Sequence, residues 1–341
     1  MSDTHHPLET ITRAISLRDS IIQSKQKDFN KTNTCRMFNG FYEGLPGLVL
    51  DRYGSALVIF DHSETNAFED VINQVKLWAL ANDTSIESIL LKQRNHPQPA
   101  MRQGKLLAGD QHPSEITENG VRYTIDLQLH QDASFYLDTR NLRQWLIDNL
   151  AGKRVLNTFA YTGSLGVAAG VGGADLVVQT DLNHNYLEIA KQSWMLNQLP
   201  AEKHQHIKGD FFRVTGRMRN DNLLFDCVIL DPPFFSTTGG GKVDLQFEMT
   251  RLINKARPLV AHEGLLIVIN NALFHSGVDF MAELETLCES KYLHYQQSIP
   301  IPMDITGYPE TILSTPPVDP APFNHPTKIA ILKVYRKDRR K

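Results

Sequence analysis

Residues 154–181 constrain the fold of this chain more than any other stretch. An apolar, partly β-branched run over residues 155–159 is followed by a turn at Gly163, by small residues at helical spacing, and by a second apolar run that ends on Asp181. This succession predicts a strand, a glycine turn, a helix and a parallel strand. Because glycine has no Cβ, a ligand can approach its backbone closely, and a carboxylate placed like that of Asp181 can accept hydrogen bonds from ribose hydroxyls. The pattern therefore indicates a cofactor that contains a nucleoside.

The glycine turn does not match a phosphate-binding loop. Residues 161–166, Tyr-Thr-Gly-Ser-Leu-Gly, lack the G-x-G-x-x-G spacing of dinucleotide sites, and no stretch of the sequence supplies G-x-x-x-x-G-K followed by Ser or Thr. S-Adenosylmethionine carries adenosine and an amino acid without phosphate, so it needs only the close glycine approach and the ribose acid. We therefore expect S-adenosylmethionine as the cofactor, with a purely structural strand-turn-helix as the alternative reading of this stretch.

Length and composition fit an ordinary globular chain of about two domains. The 341 residues are 41% hydrophobic and 21% charged, with a formal net charge of −3. No apolar run approaches the ~20 residues of a membrane span, the first residues lack the plan of a secretory signal, and three cysteines leave one unpaired in any disulfide scheme. We expect a cytoplasmic protein with no membrane partner. A nucleic acid would have to be held by local basic patches, because the net charge gives no overall attraction.

Residues 1–127 predict a small α+β domain. An amphipathic helix opens the chain, a β-hairpin follows at about residues 48–60, and further strands are expected at residues 86–91 and on both sides of Gly120. The stretch 92–113 is polar and contains prolines, which predicts an exposed loop. Its cations are candidate contacts for RNA phosphates, with a solvated loop as the alternative: Lys92, Arg94, Arg102 and Lys105.

Residues 128–341 predict the cofactor-binding domain. A third parallel strand ends at Asp210, whose carboxylate can accept a hydrogen bond from the adenine amine or cap the helix that follows. No metal site is expected, since His204 and His206 have no carboxylate or cysteine ligand at a suitable spacing.

The glycine-rich residues 237–242 predict a flexible lid, and residues 245–259 predict a helix. The proline-rich segment 300–326 lies between the last two predicted strands, and loops of that length are usually functional.

The stretch Asp231-Pro232-Pro233-Phe234-Phe235-Ser236 follows the buried-strand pattern of residues 225–230. It therefore lies at the carboxyl end of a strand, where the ligands of open α/β sheets bind. Two successive prolines remove two N–H donors and leave carbonyl groups that can accept from an amine, while Asp231 adds a carboxylate and Phe235 a stacking face. This set of groups suits a planar nitrogen base. The predicted catalytic residues are Asp231, Pro232 and Phe235.

Four stretches of the chain resemble, in order, the bacterial class I S-adenosylmethionine-dependent methyltransferases of large-subunit ribosomal RNA, the group that includes methyltransferases I and K/L: residues 44–54, 135–140, 156–163 and 231–236. The resemblance implies an α/β, Rossmann-like domain with a seven-stranded sheet whose last strand is antiparallel, together with the small N-terminal α+β domain. It implies RNA of the large ribosomal subunit as substrate, and a homodimer is a possible state. It also implies cofactor contacts at eight residues: Phe135, Asp138, Arg140, Tyr161, Gly163, Asp181, Asp210 and Asp231.

The chain departs from the family pattern at three places. Because the predicted helix of Leu8 already stands at the start of the sequence, we expect no N-terminal PUA domain of the methyltransferase I type. Residues 131–134, Gln-Asp-Ala-Ser, replace the family's Lys-Thr-Gly. Asn270 and Asn271 stand where the 5-methylcytosine enzymes carry a cysteine, more like the guanine-methylating half of K/L.

We therefore predict methyl transfer to a base nitrogen of ribosomal RNA. The alternatives are a 5-methylcytosine enzyme of the same family, a methyltransferase of a small molecule or protein, and an RNA-binding protein with a vestigial cofactor site.

Overall fold

The computed structural model describes residues 6–24, 32–64, 67–245 and 248–340. The chain divides into two compact units, one of residues 1–137 with 302–315 and the other of residues 138–301 with 316–341. The sequence predicts a domain boundary between residues 127 and 128, ten residues before the end of the first unit's main segment at residue 137. It also does not predict that residues 302–315 return to the first unit. Among the described residues, no helix combines the length and the apolar character that crossing a bilayer requires.

The first unit is a mixed sheet with helices. Its elements up to residue 124 are α1 (Pro7–Ser24), β1 (Thr34–Asn39), α2 (Gly40–Glu43), β2 (Leu48–Tyr53), β3 (Ala56–Asp61), α3 (Glu69–Asn82), β4 (Ser88–Gln93), α4 (Pro99–Gln103), β5 (Lys105–Ala108), β6 (Glu115–Glu118) and β7 (Val121–Thr124). Strands β1 to β5 follow one another in the sheet, and only the pair β3–β4 is parallel. The apolar face of α1 packs Ile11 and Ile15 into the core of this sheet, as its helical spacing predicts.

The stretch 92–113 is more ordered than the exposed loop that the sequence predicts. Strand β4 extends through Lys92 to Gln93, α4 begins with a proline at its first turn, and β5 pairs antiparallel with β4. Proline lacks an N–H and has a fixed φ, so it fits the first turn of a helix although it would disrupt the interior. The prolines that suggested a loop therefore mark the start of a short helix.

A buried ion pair ties the returning segment 302–315 into the first unit. Arg18 donates to both carboxylate oxygens of Glu43, at 2.9 and 3.0 Å, and also to the backbone oxygen of Asp304 at 3.1 Å. The hydroxyl of Thr311 donates to the same Glu43 carboxylate at 2.5 Å. Because Arg18 and Glu43 are almost fully buried, each needs these partners to offset the loss of hydration.

The second unit is a doubly wound α/β domain. Its elements are α5 (Arg140–Asn149), β8 (Arg154–Thr158), α6 (Ser164–Val171), β9 (Leu176–Asp181), α7 (His184–Leu196), β10 (His204–Lys208), α8 (Phe211–Asn220), β11 (Phe225–Leu230), β12 (Phe235–Thr238), β13 (Gly241–Asp244), α9 (Met249–Ala256), β14 (Val260–Asn270), α10 (Gly277–Cys288), β15 (Leu293–Ser298) and β16 (Lys328–Val334). The last short helix of the chain, α11 (Met303–Thr306), belongs to the first unit.

The large sheet of the second unit has the order β10-β9-β8-β11-β14-β16-β15. Strand β16, the last in sequence, is antiparallel to both of its neighbours and lies one position inside the edge. The order reverses at β8, which pairs in parallel with β9 on one side and with β11 on the other. Ligands of such sheets bind at this reversal, beyond the carboxyl ends of the strands. The predicted seven-stranded sheet with an antiparallel last strand is confirmed.

Two local predictions in the second unit differ from the structure. Residues 237–242, expected as a flexible lid, are part of the hairpin β12–β13. The helix expected over residues 245–259 begins only at Met249, and residues 246 and 247 lie outside the described part of the chain. The apolar residue Leu245 suggested a helical repeat, but it is buried in the core directly after β13.

Candidate active site

The glycine turn after β8 has an unusual backbone conformation. Phe159 and Tyr161 have φ angles of 52° and 50°, and Gly163 follows with φ of 79° before α6 begins. Residues with a Cβ rarely adopt positive φ, and such conformations concentrate at ligand sites. A Cβ on Gly163 would also lie 2.3 Å from the Cβ of Ala190. Glycine is therefore required there both for the turn and for packing.

Asp181, at the end of β9, holds this turn in place. One carboxylate oxygen accepts from the backbone N–H of Tyr161 at 2.9 Å and the other from that of Asn183 at 2.8 Å. Burial raises the pKa of Asp181, while these backbone hydrogen bonds lower it in part. A third backbone hydrogen bond, from Leu182, also lowers the pKa of Asp181. A carboxylate has about four lone-pair positions, so one remains for a ribose hydroxyl.

Asp210 lies between β10 and α8 and caps that helix. Its side chain accepts from the backbone N–H of Arg213 at 3.2 Å, and its other oxygen receives a short hydrogen bond from the hydroxyl of Thr238. The capping function that the sequence suggested is present. A contact to adenine stays a prediction, and it would have to share the carboxylate with the hairpin β12–β13.

Asp231, directly after β11, is half-buried, and its charge is not compensated by any residue in the described ranges. Burial of its carboxyl group and the nearby carboxylate of Asp138 raise the pKa of Asp231 to about 7. Asp138 accepts a hydrogen bond from the hydroxyl of Thr327 at 2.9 Å, whereas no residue in the described part of the chain donates to the carboxyl group of Asp231. A half-buried titratable group that lacks a partner and lies at the ligand edge of a sheet is a candidate functional residue.

The residues after Asp231 present an aromatic face. Pro232 is buried, but Phe235 is 57% exposed and the ammonium of Lys242 lies 5.3 Å from the centre of its ring. The backbone oxygen of Phe234 accepts from the N–H of Leu245 at 3.1 Å, which closes the base of the hairpin. The predicted catalytic residues therefore lie together at the end of β11, and their catalytic roles stay predictions.

The remaining predicted cofactor residues lie in different surroundings. Arg140 begins α5, and the ring of Tyr161 meets that of Tyr186 edge to face at 4.6 Å. Phe135 belongs to the first unit, where it is buried, packs against Tyr123 with ring centres 4.9 Å apart, and accepts a hydrogen bond from a tyrosine hydroxyl through its backbone oxygen. A cofactor contact at Phe135 stays a prediction.

The structure corrects the role expected for Lys92. Its side chain is fully buried, and its ammonium donates to the backbone oxygens of Gln103, His130 and Asp132 at 2.6, 2.7 and 3.0 Å. An ammonium has three protons, so none remains for a phosphate. Lys92 is therefore a structural residue.

The neighbouring cations are also partly engaged. Arg94 donates to the carboxylate of Asp132 at 2.6 Å, and Arg102 donates to the backbone oxygen of His96 at 2.7 Å. Lys105 is exposed, without a hydrogen bond or ion pair in the described ranges. Of the four predicted RNA contacts, Lys105 alone combines exposure with an unengaged charge.

The polar groups at the predicted cofactor contacts of the second unit fit S-adenosylmethionine. Its predicted contacts include four carboxylates, at Asp138, Asp181, Asp210 and Asp231, which can accept from hydroxyl and amine groups and favour a cation. They would repel a phosphate. The positive-φ turn at Gly163 supplies a close backbone approach without a phosphate cradle.

Comparison with known proteins identifies the family. A family model for S-adenosylmethionine-dependent methyltransferases matches residues 60–312. The chain belongs to this methyltransferase family. The family confirms S-adenosylmethionine as the cofactor of this methyltransferase.

Sequence relatives of the methyltransferase carry RNA-related names. The chain is 36% identical over 188 residues to ribosomal RNA large subunit methyltransferase K of Neisseria meningitidis. The match covers 54% of this chain and 52% of the relative. The chain is 29% identical over 289 residues to ribosomal RNA large subunit methyltransferase I of Photobacterium profundum, covering 79% of this chain and 69% of the relative. The chain thus spans about half the length of the first of these relatives.

A solved structure supports the fold of the methyltransferase. A candidate methyltransferase crystallised with S-adenosylhomocysteine superposes with a TM-score of 0.83 at 23% identity, covering 98% of this chain and 83% of the other. At this identity the likeness shows the fold, and it confirms the Rossmann-like class.

Two polar residues of the site were not found from the sequence. Thr327, whose hydroxyl donates to Asp138, directly precedes β16. Because β16 is antiparallel, it begins at the edge of the sheet where the parallel strands end. That topology could have pointed to Thr327. Gln179 lies in the middle of β9, where its amide occupies the space beside Gly163 and Gly166. No sequence signal separates Gln179 from an ordinary strand residue.

Proposed function

We propose that this protein transfers the methyl group of S-adenosylmethionine to a nitrogen of an RNA base, with large-subunit ribosomal RNA as the substrate. The observation that carries the proposal is the unpartnered carboxyl group of Asp231 beside two prolines and the exposed ring of Phe235. The names of the sequence relatives support RNA of the large ribosomal subunit as the substrate class.

When bound, the cofactor supplies an electrophilic methyl carbon, so the protein need only position a nucleophile. Asp231, once ionised, accepts a hydrogen bond from an N–H of the base, and the ring of Phe235 stacks on the base plane. These contacts orient the nitrogen lone pair, and positioning of this kind can lower a barrier by several kcal/mol. The Asp231 carboxylate takes up the proton that the nitrogen loses as its new bond to the methyl carbon replaces the carbon–sulfur bond. Asp138 and Asp181 would hold amine and hydroxyl groups of the cofactor.

The positions of the cysteines favour nitrogen over carbon as the acceptor. Methylation at carbon 5 of a pyrimidine needs a thiolate that first adds to the ring. Cys227 is fully buried in the middle of β11, and burial raises the pKa of its thiol well above the ordinary range. Cys35 lies in the first unit, and Cys288 ends α10, where burial also raises its pKa. The end of β14 carries Asn270 and Asn271 instead.

The direct test is transfer of labelled methyl groups from S-adenosylmethionine to RNA from a strain that lacks the gene, followed by mass spectrometry of the nucleosides. We expect a methylated base nitrogen as the product. Asp231→Ala should lose most of the transfer while the protein still folds. Transfer to a protein or small-molecule acceptor, with RNA left unlabelled, would refute the proposal.

A second test addresses the acceptor atom. The variant with Cys35, Cys227 and Cys288 all changed to alanine should retain transfer, and RNA containing 5-fluorocytidine should form no covalent complex. A trapped adduct on one of the three cysteines would establish carbon methylation instead.

A further inference from the structure

The second unit carries a group of cations that neither the sequence patterns nor the family singled out. We call it the hairpin surface. It consists of exposed basic residues on α8, on the hairpin β12–β13 and on α9: Arg213, Arg217, Lys242, Arg251 and Lys255.

Contacts between these elements make the surface continuous. Helix α8 packs against α9, and the guanidinium of Arg251 lies 4.9 Å from the centre of the Phe212 ring. The hairpin rests on the start of α8, since a Cβ on Gly241 would lie 2.7 Å from the Phe212 ring and a Cβ on Gly239 would lie 3.2 Å from a guanidinium nitrogen of Arg213. The three elements therefore present their cations side by side.

The helical cations point to common faces. Arg213 and Arg217 are four residues apart on α8, as are Arg251 and Lys255 on α9, and residues at this spacing lie above one another on a helix. Other faces of both helices are buried in the core, through Val214 and Met218 on α8 and through Leu252 and Ile253 on α9.

Three of the five charges are unengaged. Lys242 pairs with Asp244 at 2.9 Å, and Arg251 pairs with Glu248 at 3.0 Å. No hydrogen bond or ion pair within the described ranges engages the charged groups of the other three: Arg213, Arg217 and Lys255. Partly exposed ion pairs are weak, so a phosphate could also recruit Lys242 and Arg251.

The hairpin surface adjoins the candidate catalytic residues. Phe235 is the first residue of β12, four positions after Asp231. The ammonium of Lys242 lies 5.3 Å from the centre of its ring. An exposed aromatic ring next to cations is the usual combination for single-stranded nucleic acid, because bases stack while phosphates are neutralised.

We propose that the hairpin surface binds the phosphate backbone of single-stranded RNA next to the base held at Asp231. This rests on the proposed function, in that it presumes RNA as the substrate. Each neutralised phosphate releases counterions, so the affinity falls with salt by a slope of about 0.7 per phosphate on a log–log plot for single strands.

The test neutralises the unengaged cations in the full-length protein, as the triple variant Arg213→Gln/Arg217→Gln/Lys255→Gln. A matched control makes the same change of charge on exposed lysines elsewhere in the second unit, Lys153→Gln/Lys191→Gln/Lys291→Gln. Binding of a short single-stranded RNA of mixed sequence is measured from about 50 to 200 mM salt. The melting-temperature shift with S-adenosylhomocysteine reports whether the cofactor site is intact.

We expect the triple variant to bind the RNA about tenfold or more weakly near 100 mM salt, with a slope lower by about 2 than that of the wild type. Its KM for RNA should rise while kcat and the cofactor-induced shift stay unchanged. The control variant should match the wild type. Equal losses in the two variants, or no loss in either, would overturn the hairpin surface as the binding site.

The outcomes separate this proposal from the proposed function. Wild-type protein that methylates RNA while the triple variant keeps its affinity and salt slope overturns only the hairpin surface. Wild-type protein that neither binds nor methylates RNA overturns both.

Discussion

Lys92 and Asp231 are both ionisable side chains near the carboxyl end of a strand, the first fully buried and the second half-buried, but their surroundings are opposite. Three backbone oxygens accept the three protons of Lys92, whereas Asp231 has a second carboxylate nearby and no donor among the described residues. A buried charge with a complete set of partners stabilises the fold. A half-buried charge without partners costs stability and is kept available for a ligand. The contrast separates a structural charge from a functional one.

Replacing Lys92 should change the free energy of unfolding more than any other substitution below. In Lys92→Met three carbonyl groups lose their donor in a buried site, and we expect the free energy of unfolding to fall by about 3–5 kcal/mol. Urea denaturation measures this. The control Lys105→Met, at an exposed position, should stay within about 0.5 kcal/mol of the wild type. A Lys92→Met protein as stable as that control would show that the buried ammonium does not stabilise the fold.

Asp231→Asn should raise the free energy of unfolding, whereas Lys92→Met lowers it. Because the pKa of Asp231 is raised to about 7, the folded chain holds its proton more tightly than the unfolded chain, and the wild type loses stability as pH rises from about 4 to about 7. At pH 8 the variant should therefore be more stable than the wild type by about 2–4 kcal/mol, with little difference at pH 4.

Unfolding curves at the two pH values check this prediction. Asp110→Asn, at an exposed carboxylate, should follow the wild type throughout. The methyl transfer of Asp231→Asn should be low although its stability is high. A stability difference that does not change with pH would contradict the assignment of Asp231 as an uncompensated charge.

Asp181 is intermediate between the two, since it is half-buried and anchored by backbone N–H groups, among them those of Tyr161 and Asn183. Asp181→Ala should reduce the stabilisation by S-adenosylmethionine by about 1–3 kcal/mol, the scale of a hydrogen bond to a charged group. Thermal unfolding with and without cofactor measures it, and NAD and ATP should give no shift in either protein. Asp175→Ala, an exposed carboxylate just before β9, is the control and should keep the full shift.

Thr327→Val should cause the smallest change in the free energy of unfolding. It removes the hydroxyl that donates to Asp138, and we expect the free energy of unfolding at pH 8 to fall by about 1 kcal/mol. Thr327→Ser keeps the hydroxyl and should restore most of the loss in the same urea titration. A Thr327→Ser protein no better than Thr327→Val would show that the methyl group matters rather than the hydrogen bond.

Much of the second unit could be predicted from the sequence because its signals are local. Alternating apolar runs and helical repeats fix a parallel sheet, and turn residues such as Gly163 and Pro232 mark the ends of its strands. Since those ends converge at one edge, the candidate residues Asp181 and Asp231 could be placed at the site without coordinates. The hairpin β12–β13 was missed because its three glycines indicate flexibility, while its packing against Phe212 is a long-range contact.

The sequence by itself determined the cofactor class, the sheet and the strand ends that carry the acidic residues, because strand patterns and turn chemistry act over a few neighbouring positions. Only the tertiary structure decided which charges are available. Lys92 and Arg213 look alike in the sequence as basic residues that follow an apolar neighbour, yet one is enclosed by backbone oxygens from distant segments and the other stays exposed. Burial and partner geometry depend on contacts far apart in the chain, so composition cannot supply them.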